Sequence, residues 1–290
     1  MSLISPSEFR RRFDEVIDSA DKVIVVYSGV WTFAEKLDVP RRDFARVVIE
    51  QLMESVGSHR TLLLPAYTPS YIRTRTYSPV DSLPETGILP QTCLRDFAFF
   101  RTPSAIDSFL AIGPQAKYLA GLKSPTTLWG EGSLKSLFQL THARMVTLGT
   151  HWKHTLGFLH RIEEAAEVPY RYFKTFHGEW VEEGSARPWE ETMFVRSIDV
   201  VPQLNWSAVN EVLRSRGLTR RAFGDIIIES ADAADIVAAG VEILKQDPYA
   251  LVTNAEFVRN WVRHGKSAEI AALRLREPRA LDYADRLGAA

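Results

Sequence analysis

His160 and Glu163 stand three positions apart in a run where Leu156, Leu159 and Ile162 recur at helical spacing. Positions i and i+3 share a helix face, so an imidazole and a carboxylate lean toward one place. A carboxylate that orients an imidazole makes a proton acceptor near neutral pH. The same spacing also suits a packed helix face with an acid on its solvent side, and the pattern leaves both readings open. Upstream, Trp129-Gly130-Glu131-Gly132-Ser133 is a Gly-rich turn that ends in a hydroxyl. Ahead of a helix such a turn either cradles phosphate on backbone amides or is an ordinary loop. It lacks the GxGxxG and Walker spacings, so neither a Rossmann nor a P-loop nucleotide site is indicated. His151 and His154 are three apart, but without HExxH or a cysteine cluster no metal is expected. The absence of a GxSxG elbow disfavours that type of hydrolase triad. Asp107-Ser108 precedes a strand and reads as a turn or as part of a site.

These groups need elements to hold them. Val23–Tyr27 is a continuous β-branched run that breaks at Ser28-Gly29, as a buried central strand would. Residues 60–64 give a second buried strand closed by Pro65, and 109–112 and 145–149 give two more. Helices are predicted after Ser5-Pro6, over 42–56, from 116, over 134–140 and through His160. The connection 66–99 is rich in Pro, Ser, Thr and Tyr and long enough to be functional. Its Tyr67, Tyr71 and Tyr77 argue for an ordered lid or wall. Beyond it, 170–176 alternates as a strand, with a turn predicted at His177-Gly178 and a charged excursion over 181–189. A strand follows at 193–198 and a strand or strand-helix junction at 223–228, with helices at 206–216 and 231–245 and a polar helical tail from 254. Strands alternating with helices predict an α/β domain: three layers, α/β/α, around a central mixed sheet, with a less regular second subdomain. The expected organisation is one domain over 1–290, its core and cofactor site in 1–176 and a C-terminal subdomain and tail in 177–290.

With 290 residues and a formal net charge of −1, the chain can bury a large core and carries no field that selects nucleic acid or an anionic membrane. Cys93 is the only cysteine, which fits a reducing cytoplasm. Basic residues near the N-terminus have no apolar stretch behind them, and no apolar run is long enough to span a bilayer. A cytoplasmic protein without a membrane partner is expected. Homodimerisation is left open.

In this order the pieces resemble the aminoglycoside 3-N-acetyltransferase family, best over 21–174 and fading toward 251. Val26-Tyr27-Ser28-Gly29 is similar to its strand ending in His-Ser-Ser. Arg60-Thr61-Leu62-Leu63-Leu64-Pro65-Ala66-Tyr67-Thr68 is similar to its Gly-Thr-Leu-x-x-Pro-Thr-Tyr, and Gly87-Ile88-Leu89-Pro90-Gln91 to its Gly-x-x-Pro-Glu. Trp129–Ser133 resembles its Phe-Gly-Glu-Gly-Ser. Leu159-His160-Arg161-Ile162-Glu163 resembles its Leu-His-Leu-x-Glu, with Pro169-Tyr170-Arg171 following as there. The resemblance implies acetyl-CoA as cofactor and a small-molecule amine or amino sugar as acceptor, acylated by direct attack. It implies that Ser28, Gly29, Val30, Gly130, Gly132 and Ser133 hold the cofactor. His160 would take the proton, Glu163 would orient it, and Tyr67 and Asp107 would face the acceptor. Where the family has Arg-Ser-x-His-Pro-x-x-Ser, this chain reads Arg101-Thr102-Pro103-Ser104-Ala105-Ile106-Asp107-Ser108, so Ser104 stands in the place of a catalytic histidine. A hydroxyl accepts protons poorly near neutrality. Either His160 takes over, the acceptor needs less help, or the fold serves another reaction or a binding role. Few carboxylates (Asp81, Glu85, Asp96, Asp107) line the acceptor loops, which argues against a polycationic drug as acceptor.

Overall fold

The computed structural model describes residues 3–123, 126–140, 142–152, 155–196, 205, 207–223 and 226–263. α1 (Pro6–Asp14) starts where Ser5 Oγ accepts the Glu8 amide at 3.2 Å and Pro6 fills the first turn. β1 (Val23–Ser28) is buried along its whole apolar run. α2 (Phe44–Val56) turns Phe44, Val48, Ile49, Leu52 and Val56 inward, and β2 (Thr61–Pro65) is buried throughout. α3 (Tyr71–Thr74), β3 (Thr76–Tyr77), α4 (Ile88–Asp96) and β4 (Phe100–Arg101) divide the connection that follows, before β5 (Phe109–Ile112) and α5 (Ala116–Ala120). α6 (Leu134–Leu140), β6 (Ala143–Leu148) and α7 (Leu156–Ala165) come after the Gly-rich turn. β7 (Arg171–Glu182), β8 (Ser185–Arg196), α8 (Ser207–Ser215), β9 (Thr219–Phe223), β10 (Ile226–Asp232), α9 (Ala233–Gln246) and α10 (Ala255–Trp261) complete the described chain.

Two sheets form. The large one has the order β4-β5-β2-β1-β6-β10-β9 and the small one β3-β7-β8. β1 runs parallel to both β2 and β6, while β5 and β10 are antiparallel to the strands they meet. Successive side chains of β1 point to opposite faces. Ile24 and Val26 join Phe9, Phe13, Val48, Leu52 and Cys93 under α1, α2 and α4. Val23, Val25 and Tyr27 join Phe138, Phe158, Ile162 and Ile236 under α6, α7 and α9, together with Tyr172, Phe176 and Phe194 of the small sheet. The result is the three-layer arrangement around a mixed sheet, with the small sheet as its less regular part. Among the described residues no helix is long and apolar enough to cross a membrane.

Two expectations are corrected. His177-Gly178 is not a turn: β7 runs through it and the hairpin turns at Glu183-Gly184, both at positive φ (50° and 76°), as a tight two-residue turn needs. Gly178 is there because a Cβ would lie 2.4 Å from the Arg75 carbonyl oxygen, where β3 docks beside β7. The charged excursion is the tip of this hairpin. The segment 66–99 is ordered as a wall, with Tyr71 and Tyr77 fully buried. The guanidinium of Arg101, itself buried, donates to the carbonyls of Pro79, Ser82 and Ala66 and to the hydroxyls of Thr68 and Ser108, at 2.7–3.1 Å. That fork ties the connection to the sheet. The strand or strand-helix junction expected over 223–228 is neither: Phe223 ends β9 and Ile226 begins β10, and these strands pair antiparallel. Residues 197–198, 206 and the tail from 264 lie outside the described residues.

Candidate active site

The chain winds from β1 outward to β2 and β5, then returns to the other side of β1 at β6. This is a switch point, the place where open α/β sheets form a crevice. The pairs Ser28↔Leu148 and Pro65↔Phe109 put the ends of β1, β2 and β6 and the start of β5 on one edge. A cleft of ≈ 590 Å³ opens there, lined by Tyr27, Ser28, Gly29, Val30, Trp31, Tyr67, Thr86, Gly87 and Thr150 among others. Its floor depends on two glycines. A Cβ on Gly29 would lie 2.6 Å from the Gly149 carbonyl oxygen, and Thr32 Oγ1 bonds both glycine carbonyls, at 2.9 and 3.2 Å. Gly29→Ala is therefore expected to push the β1 and β6 ends apart. It should cost about 1–3 kcal/mol in urea unfolding and weaken any ligand held in the cleft.

On α7, His160 Nδ1 lies 3.0 Å from Glu163 Oε2, and the Glu163 side chain is wholly buried. Tyr170 donates its hydroxyl to Glu163 Oε1 at 3.0 Å, and Arg171 Nε lies 2.8 Å from Oε2 as an ion pair. Burial pushes Glu163 upward, but Arg171 and the His160 contact outweigh it and hold the carboxyl below its ordinary range. Burial, then Arg171, push His160 below its own ordinary value against the pull of Glu163. An ionised Glu163 beside a neutral imidazole fixes the tautomer. Nδ1–H donates to the carboxylate, and Nε2 keeps its lone pair as proton acceptor. The ring tilts over Trp129, with centroids 4.5 Å apart.

Trp129 Nε1 donates to Asp107 Oδ2 at 2.9 Å, which links this dyad to the Ser104 loop. The same oxygen pairs with Lys135, whose side chain is only 1% exposed. Tyr67, on the wall of the large cleft, meets the Tyr27 hydroxyl at 2.8 Å and stands against Asp107, which adds to burial and Tyr27 in raising its pKa, so Asp107 lies behind that wall. Ser104 accepts the Asp107 amide at 2.8 Å and lines a second, narrow opening with Asp107 and Gly132.

The cofactor residues expected from sequence therefore divide. Ser28, Gly29 and Val30 line the large cleft with Tyr67, whereas Gly132 lies at the Ser104 opening. Ser133 is fully buried and its hydroxyl accepts the Ser136 amide at 3.2 Å, which spends it on the start of α6. Gly130 faces Glu164, 2.6 Å from where its Cβ would stand, and Glu131 of the same turn pairs with the buried Arg161 at 2.6 Å, so the cation at this turn already has a carboxylate partner. His151 sits in a separate cavity near Arg214 and Arg220, and His154 lies outside the described residues. Among the described residues no group of three metal-ligating side chains converges. Burial pushes Cys93 up to about 12 with no charged partner, so its thiolate is not formed near neutrality. Sequence reasoning missed Lys135, Arg171, Tyr170 and Glu191 as parts of the site. Of these, only Tyr170-Arg171 left a signal, by following the dyad motif directly.

A family model described as aminoglycoside 3-N-acetyltransferase matches residues 39–245. No curated protein matches at the level of sequence. The fold is similar to several solved structures at low identity. AAC-IIIb with CoASH has 20% identity and a TM-score of 0.70, covering 87% of this chain and 99% of that one. AAC-VIa with sisomicin bound has 19% and 0.69, covering 84% and 99%. The apoenzyme of aminoglycoside acetyltransferase AAC(3)-IVa has 18% and 0.68, covering 90% and 98%.

Proposed function

The chain belongs to the aminoglycoside 3-N-acetyltransferase family, and from that premise we propose that it is a CoA-dependent N-acyltransferase acting on an amino group of an amino sugar or small metabolite. The observation that carries the reading is the His160–Glu163 pair, its carboxylate wholly buried, joined through Trp129 and Asp107 to Tyr67 on the wall of a switch-point cleft in a chain of this family. The cleft fits the donor in size and character. At ≈ 590 Å³, with a mostly neutral lining that includes Ser28, Thr86 and Thr150, it suits the amides and methylenes of a pantetheine arm. Its lining carries no Lys or Arg among the described residues, so the phosphates would lie at the rim. Ser28, Gly29 and Val30 would hold the arm, and the bound molecule would supply an activated thioester.

The chain's own residues do the rest. His160 Nε2 takes a proton from the attacking amine, and Glu163, steadied by Tyr170 and Arg171, keeps the ring in place. Cys93, buried and protonated, forms no acyl-enzyme, which leaves direct attack. The wall of the large cleft offers a single carboxylate, Glu85, which supports a small acceptor rather than a polycationic drug. The second reading, a binding protein without catalysis, draws on the sequence resemblance, which would set Ser104 where the family has a histidine. Calorimetry decides first. One acetyl-CoA should bind per chain, and turnover should follow with a panel of primary amines that includes glucosamine and sisomicin. No acetyl-CoA binding at millimolar concentration removes the enzyme reading, and binding without turnover on any amine favours the silent protein. Mass spectrometry of the product identifies the acyl group transferred.

A further inference from the structure

Glu191 on β8 is 3% exposed, and its carboxylate is built into the loop that carries Ser104 and Asp107. Oε1 accepts the Ala105 amide at 2.6 Å and Trp189 Nε1 at 3.1 Å, and Oε2 accepts the Ile106 amide at 3.0 Å. The Ser104 hydroxyl is close enough to the same carboxylate to favour its ionised form. On its other side Ser104 faces the narrow opening, which it lines with Thr102, Asp107, Leu122, Lys123 and Leu128. That opening measures ≈ 30 Å³, room for an amino group and a water but not for a sugar ring. An amine entering it comes beside Ser104, whose loop is held from behind by Glu191 through the Ala105 and Ile106 amides. The nearer carboxylate, Asp107, already serves Lys135 and Trp129. Glu191 has no ion-pair partner among the described residues, so its charge is the one left for an incoming cation.

Resting on the acyl-transfer reading above, we propose that Ser104 and Glu191 form a relay that deprotonates the acceptor's ammonium group before attack. An amine reaches the enzyme near neutral pH as RNH3+, which has no lone pair. Ser104 Oγ takes one of its protons as the hydroxyl proton passes to Glu191, leaving RNH2 and a neutral carboxyl. On attack the C–N bond forms and the C–S bond breaks, and a second proton goes to His160 and from there to the departing sulfur. Glu191 returns its proton to solvent. In sum, RNH3+ and a thioester give an amide, a thiol and one proton. Ser104 is the catalytic residue here, and Glu191 works through it.

The environment of Glu191 suits the task. Burial pushes it up to about 7, with Trp189, the two amides and Ser104 pulling the other way. A carboxyl in that range exchanges protons near neutrality, where an ordinary one stays ionised. The titratable groups facing it are Tyr71 of α3, Tyr77 of β3 and Lys135 of α6. The two phenols are themselves pushed up to about 12 by burial and stay neutral, and Lys135 is committed to Asp107.

Two readouts test the relay. With 13C-labelled Glu carboxyls, the signal missing from Glu191→Gln should titrate near pH 7 in the wild type. It should titrate higher in Ser104→Ala, which removes a bond to the ionised form. With glucosamine or sisomicin as amine, Ser104→Ala should lower kcat about 10²-fold at unchanged thermal stability. Adding Glu191→Gln should cost little more. The rise of kcat with pH through about 7 should disappear from both variants, compared on the same amine so that its own titration cancels. Should Glu191→Gln fail to fold, Ser104→Ala carries the test, because it leaves the carboxylate on its two amides. A Glu191 carboxyl titrating in the ordinary range, or a Ser104→Ala variant with wild-type kcat and pH profile, overturns the relay alone. A wild type that binds no acetyl-CoA overturns the acyl-transfer reading and takes the relay with it.

Discussion

His160→Ala is expected to lower kcat by about 10²–10⁴-fold while leaving KM for both ligands within a few-fold. The ring is the neutral acceptor of the site. Its Nδ1–H is taken by a carboxylate that Tyr170 and Arg171 hold ionised, so Nε2 alone is left to do chemistry. The loss should not be one of folding. The side chain is 19% exposed and its main packing partner is the Trp129 ring, so thermal unfolding should shift by only a few degrees. Glu163→Gln should give a smaller loss of kcat, because an amide still takes the Nδ1 proton but no longer stabilises an imidazolium. The pH dependence has a definite sign. Burial and Arg171 hold His160 below the ordinary imidazole value, so the basic form persists to lower pH than a free histidine would allow. Activity that depends on it is therefore lost only on the acid side of that ordinary value. Steady-state kinetics from pH 5 to 8 check this. A His160→Ala enzyme with undiminished kcat removes the dyad from the mechanism.

What the sequence showed and what it hid follow from the range of the interactions. β1 and β2 were legible because strands buried on both faces must be apolar throughout, and Val23–Tyr27 and Leu62–Leu64 are. The His160–Glu163 pair was legible because helix geometry alone brings i and i+3 together. The hairpin was misread because Gly178 has the composition of a turn. Its reason is tertiary, the approach of the Arg75 carbonyl from another segment. Glu191 was hidden for a similar reason: among Glu190, Arg187 and Glu182 it reads as one more solvated charge, and only the fold lays it under the Ala105 and Ile106 amides. Asp107 stood out only through the resemblance, and its partner Lys135 did not stand out at all. A lysine in the first turn of a helix looks exposed, and nothing local ties it to a carboxylate 28 residues earlier.

That pair yields the largest stability effect. Asp107→Ala is expected to cost about 3–5 kcal/mol in urea unfolding, because it leaves an ammonium group 1% exposed without a counter-charge. It also strips the Trp129 indole of its acceptor. Water cannot readily make up the loss. The Lys135 stem is closed in by the Tyr67 and Phe109 rings, 5.3 and 5.2 Å from Nζ, and by Gly157, where a Cβ would stand 2.4 Å from Cε. Burial lowers the lysine's proton affinity and Asp107 opposes that shift, so the pair survives only while both members are present. Two neutral side chains of similar shape should therefore be tolerated where one orphaned charge is not. Lys135→Met combined with Asp107→Asn should recover much of the loss of either single variant, a coupling of about 2 kcal/mol or more. Activity should separate the two roles. The double variant refolds the loop but removes the fixed carboxylate that bridges Tyr67 to the Ser104 turn, so kcat should stay low after stability returns. Single variants whose costs simply add would mean that Lys135 and Asp107 do not share a buried bond, and the Ser104 loop would then owe its position to Glu191 and Arg101 alone.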